Sequence, residues 1–575
     1  MTARRILLSV IALVALCASA VFGAHQVLAP KEPGLAGMMP DGALLYIESP
    51  DFQSLLADWS NSPEKQTWLK SDDYAVFSQS RLFGRLSQAQ SEFATAAGLP
   101  PDMQFLTQVA GKQSALAWYD IGNLEFLYIT RLPSASFSQS ALWQSRGKFQ
   151  QRQSGKIDFY VRNDPQSQRT VSFAAVDDWV IIGTREDLVA NALALMTGAQ
   201  AHTLRDESWY ADSLDAAKTP GDLRMVLNLE KIVPSPYFRS YWIQRNITEM
   251  KQYRAAISDL YRTKQTYREE RVLLRATNAS ESAASTDISP LAAAVPSNTG
   301  FYKAVADPSP QHTVEILRDK LLDPRPSVAV SNRYAPTVTL TDQTAGQSSD
   351  LETRIDQAPA IPKQLDLWEP LRSLLTTAEV NGLLELESSA VQTDGVFTQL
   401  HSVIVLSAEH DWNIEQLKST LSSALDPPLT TSQLGLGWTD RKGYTEFDGL
   451  LSLSVHVQGK YLILANDPEL LLAVQNNLSE KRASAEPSIY ASSFNHAQES
   501  DNFRRISTLV DRANMHGGSG NSDDTADTDE PGQTPPFFSG NLASLSRISS
   551  GVQSESLVVH DAGKNVTQTV TYQWR

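Results

Sequence analysis

The chain has 575 residues, 41% of them hydrophobic, so it holds enough apolar material for real cores and exceeds the length at which one core usually splits into domains. Its net charge of −16 excludes general nucleic-acid binding unless a strong local basic patch overcomes phosphate repulsion. Its single cysteine, Cys17, lies in an N-terminal apolar run, which excludes an internal disulfide, a zinc-thiolate site, an iron–sulfur cluster or a cysteine nucleophile in the body.

Arg4 and Arg5 precede an uncharged stretch from Ile6 to Ala24. At 1.5 Å per residue its helix measures roughly 28 Å, close to a hydrocarbon core. Ile6, Leu7, Leu8, Val10, Ile11, Leu13, Val14, Leu16, Val21 and Phe22 are the expected membrane-anchor residues, with the arginines cytoplasmic and the body outside. Ala18-Ser19-Ala20 also suits signal cleavage. The expected location is therefore the cell envelope: anchored in the inner membrane with an extracytoplasmic body, or periplasmic if the segment is removed. A cysteine-free exported body favours a bacterial source.

The pattern then reads as two related halves. Pro40 to Tyr46 opens a strand, and Pro296 to Tyr302 does so at the same Pro-to-Tyr spacing; each strand meets a Pro-containing turn and then a helical pattern. Phe126–Ile129 and Val403–Leu406 are a second matched pair of strands. In the third pair, Val171 to Val176 leads into Trp179–Gly183 and an acidic helix start at Glu186-Asp187. Leu451 to Val457 leads likewise into Tyr461–Ala465 and Asp467 to Leu470. Each predicts a hairpin whose second strand feeds a helix with carboxylates at its positive end. Val566, Val570 and Tyr572 predict a closing strand. Paired strands with one buried face imply an α+β fold, each half a mainly antiparallel sheet with packed helices, after an N-terminal apolar helix. The expected division is 1–37 signal or anchor and linker, 38–275 first domain, 276–295 linker and 296–575 second domain. A polar insertion is expected at about 341–363 and a disordered loop at about 515–535.

On three features the chain resembles a family of bacterial exported proteins known only as a domain of unknown function. They are the apolar N-terminus, the Pro40–Tyr46 opening, and the strand-then-acidic-helix element at Trp179–Leu188 and Tyr461–Leu470. The resemblance implies an envelope location and an α+β fold. It supplies no catalytic residues.

The chemistry-bearing patterns are thin. The nine histidines form no HExxH or close HxxxH pair, and the acidic run 521–530 lacks the glycine and terminal glutamate of an EF-hand. Gly111-Lys112-Gln113-Ser114 ends like a phosphate-binding loop, but Leu106 stands where the upstream glycine is required. Ser62-Pro63-Glu64-Lys65 has Ser-x-x-Lys spacing without its companion elements, and reads as a helix cap. No cofactor is expected.

Residues 236–275 carry nine Lys or Arg against four acidic residues, with aromatics interleaved. Tyr253, Ile257, Leu260, Tyr261 and Tyr267 fall on one helical face. Tyr241, Trp242, Arg245, Arg254, Arg262, Lys264 and Arg268 form the candidate interaction surface, toward lipid headgroups, an anionic polymer or an envelope protein, or else the solvated face of a packed helix. The expected function is a non-enzymatic envelope protein serving interaction or scaffolding. The alternatives are a ligand- or polymer-binding protein with a cleft between the halves, and a hydrolase of envelope polymers built on Ser62 and Lys65 or on paired carboxylates.

Overall fold

The computed structural model describes residues 34–62, 65, 66, 69, 74, 78, 79, 81–200, 202–236, 250–276, 286–322, 368–391, 398–429, 437–448, 452–480, 487–499 and 551–574. The expected anchor, the polar insertion and the loop at 515–535 lie outside these residues. Among the described residues, no helix is long and apolar enough to cross a membrane.

The fold is α+β and its strand pairings are antiparallel. The strands belong to one sheet rather than parting into two, which corrects the expectation of a separate sheet per half. Two compact units divide within a strand, at Asp259/Leu260, and Ser62–Ser78 groups with the second. Ser289–Ala293 of the expected linker is a helix, and Ile288 and Leu291 are buried. The small residues there suit close packing as well as they suit a linker.

The first unit contains β1 (Leu45–Ser49), β2 (Ser114–Asp120), β3 (Glu125–Arg131), β4 (Gln150–Ser154), β5 (Ile157–Asp164), β6 (Arg169–Val176), β7 (Trp179–Gly183) and β8 (Leu223–Leu227). They pair in the order 4-5-6-7-3-2-1-8. β9 (Tyr253–Arg262) crosses the division. The second unit contains β10 (Thr266–Arg275), β11 (Phe301–Ala306), β12 (Val380–Val391), β13 (Thr398–Ala408), β14 (Gly437–Asp440), β15 (Thr445–Asp448), β16 (Leu453–Gln458), β17 (Tyr461–Ala465), β18 (Tyr490–Phe494), β19 (Val552–Asp561) and β20 (Asn565–Trp574). Their order is 14-15-16-17-13-12-11-18-19-20-10. The registers match as well. One row reads Val226, Tyr46, Ala117, Leu127, Gly183, Ser172 across the first unit. The corresponding row of the second reads Ser493, Tyr302, Leu386, Val403, Ala465, Ser454.

Alternation along the strands gives the sheet of the first unit two apolar faces. One presents Tyr46, Leu127, Ile129 and Ile181 and is covered by Leu188, Val189, Ala192 and Leu193, which belong to the helix that begins at the predicted acidic turn, Glu186–Met196. The other presents Phe126, Tyr128, Val171, Phe173, Val180 and Ile182 to helices on the opposite side.

One charged pair is built into this unit. Asp259 and Arg224, both buried, form a two-pronged contact, Nε–Oδ1 and Nη2–Oδ2 each at 2.8 Å. The Gly221 N–H and the Lys218 carbonyl complete the arrangement. Breaking such a pair leaves an uncompensated buried charge, whereas replacing both partners is tolerated better. Asp259→Asn should therefore lower the unfolding free energy by about 3–5 kcal/mol, read as the midpoint of denaturant unfolding. A double Arg224→Met, Asp259→Leu variant should recover part of that loss.

Candidate functional site

The second face of the first unit is incompletely filled. Its cover consists of α1 (Phe52–Asn61), α2 (Arg81–Ala97) and α3 (Met103–Val109). Asp102 caps α3 by accepting the Phe105 N–H at 2.8 Å. After α2 the chain turns through Gly98 at φ +70°, a left-handed conformation that favours glycine. Between these helices and the sheet lies a cavity of about 470 Å³. Its floor is Ile47 of β1, Leu116 and Trp118 of β2, Phe126 and Tyr128 of β3, Ile182 of β7 and Val171 of β6. Its roof is Leu86, Ala89 and Phe93 of α2 with Phe105, Leu106 and Val109 of α3. Phe93 holds roof and floor together, 6.1 Å from Phe105 and stacked at 6.1 Å on Phe126.

The polar side chains of the wall are engaged with the protein. Tyr128 donates to the Val109 carbonyl at 3.1 Å, its hydroxyl oxygen lies 3.2 Å from Ser114 Oγ, and Ser114 Oγ lies 2.6 Å from Thr130 Oγ1. Burial raises the Tyr128 phenol above its ordinary range, so it stays protonated and donating. Thr130 Oγ1 also accepts from the Gly111 N–H at 3.0 Å. A side chain at Gly111 would meet the Arg131 carbonyl oxygen at 2.2 Å, which explains a glycine here without any phosphate. Ser49 donates to the Asp222 carbonyl, Thr170 to Asn163, and Thr184 accepts the Phe126 N–H.

Charge enters at one end. Arg169 Nε donates to Glu92 Oε2 at 2.7 Å, and Arg85 Nη1 stands 3.6 Å from Glu92 Oε1. Burial pushes the Glu92 carboxyl up, but the hydrogen bond and charge of Arg169, aided by Gln88 and Arg85, outweigh it and hold the group below its ordinary range.

The predicted site residues are placed differently. Tyr241, Trp242 and Arg245 lie outside the described residues. Arg254, Arg262, Lys264 and Arg268 sit on β9, on β10 and in the turn between them, not on a helix. The correction has a physical basis: Ala255, Ile257 and Asp259, then Glu270, Val272 and Leu274, are buried at every second position. The arginines are largely spent on neighbours. Arg254 binds Asp212 at 2.7 Å, Arg268 binds Glu270 at 2.9 Å and lies over Tyr261, Arg262 lies over Tyr267, and Arg275 pairs with Asp561. Lys264 is exposed at the turn. Ser62 accepts the Lys65 N–H at 3.2 Å, as a cap does. Among the described residues, no group of three His, Cys, Asp or Glu side chains is arranged to hold a metal ion. Of the cavity residues, sequence reading marked Phe126, Tyr128, Val171 and Ile182 as strand positions, Phe52 as a helical one, and Leu106 and Ser114 only in a rejected phosphate-loop pattern.

No family model and no curated protein matches the chain. Among solved structures it is similar to crystal form I of a protein named TP0453, at 12% identity, covering 44% of this chain and 81% of that one with a TM-score of 0.24. Crystal form III of TP0453 gives 10% identity, 42% and 80% coverage and a TM-score of 0.23.

The lowered Glu92 group sets a pH dependence. Its contribution to stability is complete above the ordinary carboxylate value of 4.5 and is lost as pH falls through the lowered folded-state value. Melting temperature followed below pH 5 should fall less steeply in Glu92→Gln than in the unmodified protein.

Proposed function

We propose that this chain is a non-enzymatic cell-envelope protein whose first unit binds an apolar ligand in the cavity beneath α2 and α3. One observation carries the reading: about 470 Å³ of space lined by aliphatic and aromatic side chains, within the size range of small-molecule sites. The site lies inside the first unit, so it replaces the expected cleft between halves. The apolar N-terminus supports the envelope location, as anchor or as cleaved signal.

We also read the two units as an internal duplication, supported by the common strand order and by the residue-for-residue register of six strands. On that alignment, Leu116 and Trp118 of the cavity floor correspond to Glu385 and Glu387. There Lys320 reaches Glu385 at 3.2 Å and Glu387 at 2.5 Å, occupying the corresponding face with an ion cluster. The two copies thus differ in the chemistry of this face, apolar in one and charged in the other. The interaction-module reading keeps its own support in α1, which buries none of its side chains and leaves Trp59 49% exposed.

The full chain should bind 1-decanol, measured by displacement of a polarity-sensitive dye. Ala89→Trp, which fills the roof, and Leu116→Trp, which fills the floor, should each weaken binding at least about tenfold while folding is retained. An unmodified protein that binds no decanol, or filled variants that bind it undiminished, would refute the cavity reading. A C-terminal reporter active only in an extracytoplasmic compartment tests the location.

A further inference from the structure

The cavity lining runs from Ile47 on β1 to Arg169 on β6, the latter on the same sheet face as Val171. Four strand spacings separate those strands, about 19 Å at ~4.8 Å each. A floor of that length accommodates an extended hydrocarbon chain. Leu86 of the roof is 41% exposed, so the cavity reaches solvent.

The β6 end of the cavity is positively charged: Arg169 and Arg85 flank the carboxylate of Glu92. Asp164, the cross-strand neighbour of Arg169, is taken up by the hydroxyl and N–H of Ser167. Because Glu92 engages Nε of Arg169, the Nη edge of the guanidinium remains for a second oxyanion.

We infer that the occupant is a single-chain amphiphile with an anionic head, its tail directed toward β1 and its head held by Arg169. The assignment rests on the cavity reading and adds the chemistry and direction of the ligand. Arg169 is the residue that separates an anionic amphiphile from a neutral one of equal length.

The test compares sodium decanoate, 1-decanol and decyltrimethylammonium on the full chain. Decanoate should bind at least about tenfold more tightly than decanol, and the cation more weakly than either. Arg169→Gln should abolish the preference for decanoate over decanol; Arg169→Lys should restore part of it. Glu92→Gln, which keeps Arg169 and removes its competing carboxylate, should tighten decanoate. Equal decanoate and decanol affinities in the unmodified protein, an undiminished preference in Arg169→Gln, or weaker decanoate binding in Glu92→Gln would overturn the head-group assignment. Decanol binding that Ala89→Trp still blocks would then leave the cavity reading standing. Failure of all three ligands would remove both.

Discussion

Both faces of the sheet in the first unit are apolar, and both must be kept from water. On the face of Leu127, Ile129 and Ile181, helix Glu186–Met196 fits closely and its small residue Ala192 is fully buried. On the other face the cover is made by helices that meet at Phe93 and Phe105 but stand off from Leu116 and Ile182. Dispersion contacts are lost wherever atoms do not meet, so an apolar void of this size is costly unless something fills it. The void therefore needs an explanation that a well-packed core does not.

The second unit supplies the control within the same molecule. Its matching face is built on Ile404, Leu406, Leu453, Val455, Leu462 and Leu464, and is covered by Leu317, Leu321, Leu371, Leu375, Leu417 and Leu421 in one continuous cluster. The helices Pro310–Leu317 and Glu369–Thr377 bring leucines to positions where the first unit leaves space. At the rim, Glu385 and Glu387 require a counter-charge, and Lys320 provides it; their charges raise its pKa against the lowering effect of burial. The same strand order thus supports one filled face and one open face.

Much of the fold was legible because it depends on local periodicity. The Val171–Gly183 hairpin, the acidic start of the following helix and the closing strand at Val566–Tyr572 all show two-residue alternation or end chemistry within a short window. The basic segment was misread because Tyr253, Ile257 and Tyr261, four apart, satisfy both helical and strand spacing. The discriminating signal is Thr263-Lys264-Gln265: the Thr263 N–H bonds the Thr266 carbonyl at 2.8 Å and separates two alternating runs. The cavity was not legible. It is made by an absence of atoms where residues 47–182 converge from strands and helices, and no pattern in Leu86, Ala89 or Leu116 records that gap.

The state of the wall's polar groups decides what the gap suits. Buried water is held where two to four polar partners lack other bonds. Here Tyr128, Ser114 and Thr130 satisfy one another and the Gly111 N–H, while Ser49, Thr170 and Thr184 are engaged with backbone or with Asn163. Water entering the interior would surrender its own hydrogen bonds and find few in return. A hydrocarbon chain would surrender none, and its burial removes apolar surface from water on both partners. At Arg169 the balance reverses, because the Arg169–Glu92–Arg85 group retains charge and is partly exposed. A dry interior joined to one charged end selects a molecule divided the same way.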